Sequence, residues 1–438
     1  PIIIKKGGVT NYNDTYVNGV LTITKAPLTI KAGTYTKKQG EQNPEFSLTY
    51  EGFKNDETSE VLTTQPTISC EATEESAPGE YDVTVSGAEA ENYDISYVNG
   101  KLVVTEAEIE NVEAFEADGI SYYVTKQPEE ELPGEVEVAQ KEDCYEYDIV
   151  IPAEVIYGDK TYKVTGIGDK AFYDCSYLSS VIIPNGVTTI GEQAFYGSGL
   201  TSITIPNSVT TIGSSAFYGC SDLASVKIGN GVSSIGNGVF ANCESLTTVK
   251  IGKNVKNIGE EAFAGCNNLT SVTLPNMLES IGNRAFAGCG LASITIPDNV
   301  AIIGEEAFKD DSSLTTAILG EGITEIKQQT FSGCSSLSSV IIPEEVTTIG
   351  DYAFYGCGLT SVTIPDYVES IGEYAFSGNS KLMTVILGDG IEEIAEGTFN
   401  ACTSLSSITI PDGVTSIGSL AFAGCDALTS VKLSESLT

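Results

Sequence analysis

Apolar residues recur along most of this chain at a fixed spacing. Phe stands at 172, 195, 217, 240, 263, 286, 308, 331, 354, 376, 399 and 422, so every interval is 22 or 23 residues. The unit reads Leu-x-x-Val-x-Ile-Pro-x-x-Val-x-x-Ile-Gly-x-x-Ala-Phe-x-x-Cys, as in LTSVTLPNMLESIGNRAFAGCG from Leu269. Val272 and Leu274 alternate with Thr273, the period of a strand with one buried face. Pro275 has no N–H to give a continuing ladder and ends that strand. Leu278, Ile281 and the Ala285-Phe286 pair then return to the core. A coil this short cannot bury its apolar side alone, whereas stacked coils can. The spacing predicts a solenoid of about twelve rungs with parallel strands. A second short strand is expected at Val-x-x-Ile, with turns or 3-10 pieces around Ala-Phe. The three 22-residue intervals follow Phe195, Phe286 and Phe354 and lose a residue before the next Leu, which marks a tolerant loop.

The pattern begins before the first Phe. Asp148-Ile149-Val150-Ile151-Pro152 copies the strand and its stop, IYGDKTYK intervenes, and Val164, Ile167, Gly168, Ala171 and Phe172 resume the unit. A terminal rung carrying a hairpin, as solenoid ends require, is expected here. At the other end no cap is evident beyond Val431 and Leu433, so the native chain is expected to continue.

A second repeat lies near the start. NYNDTYVNGVLTITKA from Asn11 and NYDISYVNGKLVVTEA from Asn92 match at an offset of 81 residues. Tyr93, Ile95 and Tyr97 alternate, as do Leu102 and Val104, and Asn99-Gly100 is a type I′ turn dipeptide, so each copy is expected to be a β-hairpin. Alternating runs at Leu28–Ala32, Phe46–Tyr50, Thr67–Glu71 and Tyr81–Val85 add strands, and Asn55-Asp56-Glu57 before Val61-Leu62 offers a cap for one short helix. The expected division is 1–25, the tail of a preceding module in a chain cut from something longer; 26–106, a β-rich module; 107–165, an acidic linker and solenoid cap; and 166–438, the solenoid. Immunoglobulin-like and β-grasp folds both remain open for 26–106.

The 23-residue unit resembles the BspA-like leucine-rich repeats of bacterial surface proteins, and the resemblance covers about 145–438. Residues 26–106 resemble bacterial MBG-type modules through LTIKAG, QGEQNPEF, YEGF, APGEYDVTVSG and ENYDISYVNGKL. The resemblance implies a right-handed solenoid, export to the cell surface or medium, and adhesion to host or neighbouring-cell proteins, such as an extracellular matrix or plasma protein. A non-enzymatic adhesin or interaction scaffold is the leading expectation, with the MBG-type module as its spacer. The alternative is the binding or spacer region of a larger surface hydrolase or carbohydrate-binding protein. Lys327 and Ala395 depart from the template Gly, and Ser198, Asp311 and Asn379 from the template Cys.

Composition narrows the chemistry. With 22 Lys plus Arg against 60 Asp plus Glu, the net charge is −38, which argues against nucleic acid. The chain contains no His, which removes Ser-His-Asp and Cys-His catalysis and His-ligated zinc, and no Trp for base or sugar stacking. No apolar run approaches the ~20 residues of a membrane span. Acidic pairs at 260–261, 305–306, 344–345 and 392–393 occupy varied template positions, which favours a solvated face over paired catalytic carboxylates, and no EF-hand pattern appears. No cofactor or metal is expected.

Nine of the 11 Cys residues share one template slot: 175, 220, 243, 266, 289, 334, 357, 402 and 425. The slot also takes Ser, Asp and Asn, so a small buried side chain is the expectation there, and no structural disulfide. Cys70 and Cys144 stand apart in strand-like segments. The candidate binding residues lie where the strand faces outward: Lys227, Lys250, Thr273, Thr295, Ile318, Ile341, Thr363 and Ile386. β-propensity alone explains Thr or Ile at any one of them. Together they are expected to form a continuous concave face, with a basic spot at Lys227 and Lys250 and an apolar one at Ile318 and Ile341. The rival surface is the convex loops with Tyr173, Tyr196, Tyr218 and Tyr355.

Overall fold

The computed structural model describes residues 24–55, 57–105, 114–128, 132–158 and 160–437. The expectation for 1–25 therefore lies almost wholly outside the described residues, as does the segment 106–113. The chain divides into two compact units, 1–111 and 112–438. Among the described residues there is no α-helix, and no helix long and apolar enough to cross a membrane.

The described residues of the N-terminal unit form seven strands: β1 (Ala26–Ala32), β2 (Thr34–Lys38), β3 (Leu48–Glu51), β4 (Thr67–Cys70), β5 (Gly79–Ser86), β6 (Tyr93–Val98) and β7 (Gly100–Thr105). They form two sheets, ordered β3-β1-β6 and β2-β7-β5-β4. The expected hairpin at Asn99-Gly100 is not formed. β6 runs parallel to β1 and β7 runs parallel to β2, so the two halves of the segment belong to different sheets. Neither Asn99 nor Gly100 has the positive φ that a type I′ turn needs. Gly100 is required for another reason: a Cβ there would lie 1.9 Å from the Gly33 carbonyl oxygen. The two long strands cross from one sheet to the other side by side, backbone against backbone. The short helix is a single 3-10 turn, Ser59–Val61, capped by Thr58 rather than by 55–57.

The solenoid unit opens with three strands where an acidic linker is expected: β8 (Ala114–Ala117), β9 (Ile120–Lys126) and β10 (Gly134–Val138). Their buried residues alternate with Glu and Ser at the surface, as in GEVEV. β11 (Tyr147–Val150) pairs in parallel with Leu178–Ile182, and β12 (Glu154–Tyr157) with β13 (Lys160–Ile167) forms the hairpin expected of the terminal rung. β10 lies parallel to β13, which carries the cap into the stack of second strands that follows at Thr189–Ile190 and Thr211–Ile212.

Each later rung contributes a two-residue strand such as Thr211–Ile212 and turns around Ala-Phe, and all but the rung of Thr273 add a three-residue strand such as Ser202–Thr204. The repeat Phe rings from 172 to 399 are fully buried, and Phe422 is partly so. Successive rings stack, with centroids 4.8 Å apart between Phe172 and Phe195 and 5.7 Å between Phe399 and Phe422. Just before Ala-Phe, every rung has a left-handed residue, among them Gln193, Ser215, Glu261, Arg284 and Tyr352. Only Gly238 and Gly397 use the residue type that favours this conformation, so the sequence conceals it. The two departures from the template Gly come as pairs. Where Lys327 and Ala395 replace Gly, Thr330 and Thr398 replace Ala, and each Thr hydroxyl donates 2.8 Å to the carbonyl of the departing residue.

The expectation of no disulfide is overturned. Cys144 and Cys175 are bonded, with Cα atoms 5.4 Å apart, across the join between cap and first full rung. Cys144 sits three residues before Tyr147, as Cys175 sits three before Leu178, and Tyr147 pairs with Leu178. It therefore occupies the Cys slot of the terminal rung. A one-residue register shift after Tyr147 hid that equivalence in the sequence.

Candidate functional site: the outward strand face

Within the solenoid unit the eight candidate residues are all exposed, which follows from the strand period: Val226 and Val249 point inward, so Lys227 and Lys250 point out. Lys227 stands opposite Lys250 in the parallel ladder. Thr295, Ile318 and Ile341 stand in register on three adjacent strands, and Thr363 stands opposite Ile386. Ile341 is 73% exposed and Ile318 47%. Thr273 is the exception. Its rung forms no strand at 271–273, and only a bridge from Val249 to Val272 joins that stretch to its neighbour.

The continuous face expected from the sequence is divided into four sheets. Two breaks, between Thr273 and Thr295 and between Ile341 and Thr363, follow the shortened loops after Phe286 and Phe354. After the third shortened loop, only Ser180 and Ser202 pair. The missing residue is thus felt in the strand, although single backbone bonds from Ala292 to Thr270 and from Thr360 to Ser338 still join the rungs. The break between Ile386 and Thr409 has no such cause in the structure.

A groove of about 620 Å³ lies over the first of these sheets. Ile182, Thr204, Lys227 and Lys250 line one side, and Asn207 and Asn230, in the turns after the strands, line the other. Those turns are fixed from rung to rung: Asn207 Oδ1 accepts from Asn230 N–H at 2.8 Å, and Asn230 Oδ1 from Lys253 N–H at 3.0 Å. Gly229 and Gly252 replace the template Pro behind the two lysines, and a Cβ at Gly229 would meet the Pro206 carbonyl at 2.4 Å. Neither lysine forms an ion pair among the described residues, whereas Arg284 and Lys256 are paired with glutamates. The groove thus presents two unneutralised ammonium groups beside hydroxyls, amides and the apolar surface of Ile182, Pro206 and Ile251.

The rival tyrosines are differently placed. Tyr173, Tyr196 and Tyr218 stack in line 4.9–5.0 Å apart and are half-buried, which is a covering role. Tyr355 is exposed and meets Tyr352 edge-on.

The cysteine slot is a row of buried hydrogen-bond donors. Each thiol donates to the carbonyl of the Phe one rung back, from Cys220 to Phe195 at 3.0 Å to Cys425 to Phe399 at 3.2 Å. Asn379 fills the slot equivalently, donating 2.8 Å to Phe354. Burial pushes the Cys266 and Cys402 thiols up to about 12, so they stay neutral and poor as nucleophiles or metal ligands. Among the described residues no group of His, Cys, Asp and Glu side chains is placed to hold a metal ion.

The model of the BspA type leucine rich repeat region, in six copies, matches residues 159–270, 256–382 and 347–438. The model of the MBG domain (YGX type) matches 28–103. Similar solved structures include a leucine-rich repeat protein of Bacteroides ovatus, at 28% identity and TM-score 0.47, over 72% of this chain and 94% of that one. A leucine rich cell surface protein of Faecalibacterium prausnitzii is 24% identical with TM-score 0.41, over 76% and 91%. The pneumococcal vaccine antigen PcpA is 19% identical with TM-score 0.41, over 73% and 98%. No curated protein matches.

Proposed function

The chain belongs to the BspA-type leucine-rich repeat family, and from that premise we propose that it is a non-enzymatic interaction scaffold at a bacterial cell surface, binding a protein through the outward strand face of its solenoid. The observation that carries the reading is the division of labour within each rung. Inward positions are spent on one stacked core, while the outward ones are free, in register and chemically varied. Lys227 and Lys250 offer charge without an internal partner, and Ile318 and Ile341 offer exposed apolar surface on the next sheet along. A partner with an acidic edge and an apolar anchor suits both, and the lysines then act mainly on association rate and salt dependence. An extracellular matrix or plasma protein of host origin is the partner class we infer from the family.

The test starts with a binding screen of the purified chain against extracellular matrix and plasma proteins. Once a partner is found, Lys227→Glu with Lys250→Glu, and Ile318→Asp with Ile341→Asp, are compared with Tyr→Ala at 173, 196, 218 and 355. Each variant first has to match the wild-type circular dichroism. Loss of binding in the strand-face pairs is the expected result. Wild-type binding by both pairs together with loss in the tyrosine set overturns the assignment.

A further inference from the structure

One member of the buried donor row does not match its neighbours in chemistry. Asp311 stands in the slot between Cys289 and Cys334 and is 0% exposed. Neither of its carboxylate oxygens completes a hydrogen bond, the Leu291 N–H lying near enough only to pull weakly on the carboxyl. The thiols on either side donate to Phe263 and Phe308, at 3.2 and 3.1 Å. By that register the acceptor facing Asp311 is the Phe286 carbonyl, which otherwise receives only the Cys289 backbone N–H. A carboxylate has no proton to give and would set its charge against a carbonyl oxygen in an apolar core. A carboxylic acid has one O–H, the same single donor that a thiol supplies.

We propose that Asp311 is kept as the neutral acid in the folded solenoid and makes its rung a pH-operated seam. With the proton on, Asp311 serves as one more donor in the row. When the proton leaves, the charged side chain has to reach water, and the rung opens, uncovering Cys289 and Cys334 in the middle of the array. This goes beyond the binding reading above and does not depend on it.

The surroundings support this. The titratable groups around the slot are the Cys289 thiol on one rung, the Cys334 thiol on the next, and Asp310 beside it in the chain. Burial pushes both thiols well up, so neither supplies charge. The nearby cation, Lys309, is engaged with Glu306 and Gln329. Burial pushes the Asp311 carboxyl up to about 8, against a weaker pull from the Leu291 N–H. Below about pH 4 both folded and unfolded chains carry the proton, and the fold keeps its full stability. From about pH 4 to about pH 8 only the fold holds it, so the unfolding constant rises about tenfold per pH unit on account of this one group. Above that range the effect is flat.

The experiment compares full-length wild type with Asp311→Asn across pH 5–9. Asn already fills this slot at 379, and Asp311→Cys, restoring the template residue, stands in if the first variant does not fold. The expected result is a ratio of unfolding constants, wild type over variant, that climbs about tenfold per pH unit until about pH 8. Alkylation by iodoacetamide, mapped by peptide mass spectrometry, is expected to rise with pH more steeply at Cys289 and Cys334 than at Cys220 and Cys402, and only in the wild type. Asn379→Asp is expected to create a second seam, between Cys357 and Cys402. Parallel pH profiles for wild type and Asp311→Asn, or equal alkylation of all four thiols, overturn the proposal.

Discussion

In the N-terminal unit the buried apolar side chains collect in two pools, one around Leu28 and Ile30, the other around Val83, Leu102 and Val104, with Ala32 and Ile68 packed against both. In the solenoid a single pool runs without interruption from Phe115 in the cap to Cys425. The difference shows how each region fails. The two pools of the first unit are joined by strands that turn together at Gly33 and Gly100, so that unit stands or falls as a whole. The solenoid has one core, yet each part of it touches only adjacent rungs, and damage there stays near its source.

The contrast is tested most severely by Phe263→Ala. Removing a fully buried ring from the middle of the stack is expected to cost about 3–5 kcal/mol, with loss of amide protection in the rungs of Phe240 and Phe286 and near-normal protection beyond them. Hydrogen exchange checks this, and uniform loss along 166–438 would deny the nearest-neighbour picture.

Next in size is the Cys144–Cys175 bond. Opening it is expected to cost about 2–4 kcal/mol, felt at the cap while the later rungs are unmoved. Thiol titration in denaturant without reductant is expected to find nine free thiols of the 11. A count of 11 would mean that the bond does not form.

Gly100→Ala comes third. The added methyl is driven into the Gly33 carbonyl, and about 1–3 kcal/mol of overpacking is expected to lower the melting of the N-terminal unit while that of the solenoid stays put. A hairpin at Asn99-Gly100 would instead respond mainly to loss of positive φ, and Gly100→Asn would then be tolerated; at a sheet-crossing corner both substitutions are harmful. The smallest effect is expected from Lys227→Glu with Lys250→Glu. Both side chains are exposed and lack carboxylate partners, so thermal stability is expected to change by no more than about 0.5 kcal/mol whatever happens to binding.

The same contrast governs what the sequence disclosed. In the solenoid each template position meets an identical environment many times over. The buried Phe, the small-residue slot and the outward Lys and Ile positions could therefore be read by comparing the chain with itself. In the N-terminal unit strand partners are far apart, and a local dipeptide suggested the wrong pairing: Asn99-Gly100 has the composition of a hairpin turn, but its glycine answers to Gly33 across the sheet. The cap strands β8–β10 are hidden by their own surface, because Glu at alternate positions gives the segment the composition of an acidic linker although Val136 and Val138 between them are buried. The left-handed residue of each rung left no trace because its conformation is imposed by the bonds to the next rung. As for the candidate site, the residues of the outward face were legible from the strand period, but its division into four sheets and the groove beside Asn207 and Asn230 were not.

The rows of bonds between rungs have one further consequence. Phe195 N–H reaches the Ala216 carbonyl and Phe217 N–H the Val239 carbonyl, at 2.7 and 2.9 Å, and the same join recurs from rung to rung. A load applied to the two ends of the solenoid therefore falls on these joins in series, and the weakest terminal one yields first. Each rung peeled away frees 22 or 23 residues, roughly 75 Å of slack chain, before the next join bears the full tension. Stretched in this way, the molecule lengthens in small, nearly equal steps and dissipates work at each one, and what remains folded keeps its stacked rings and its outward face intact.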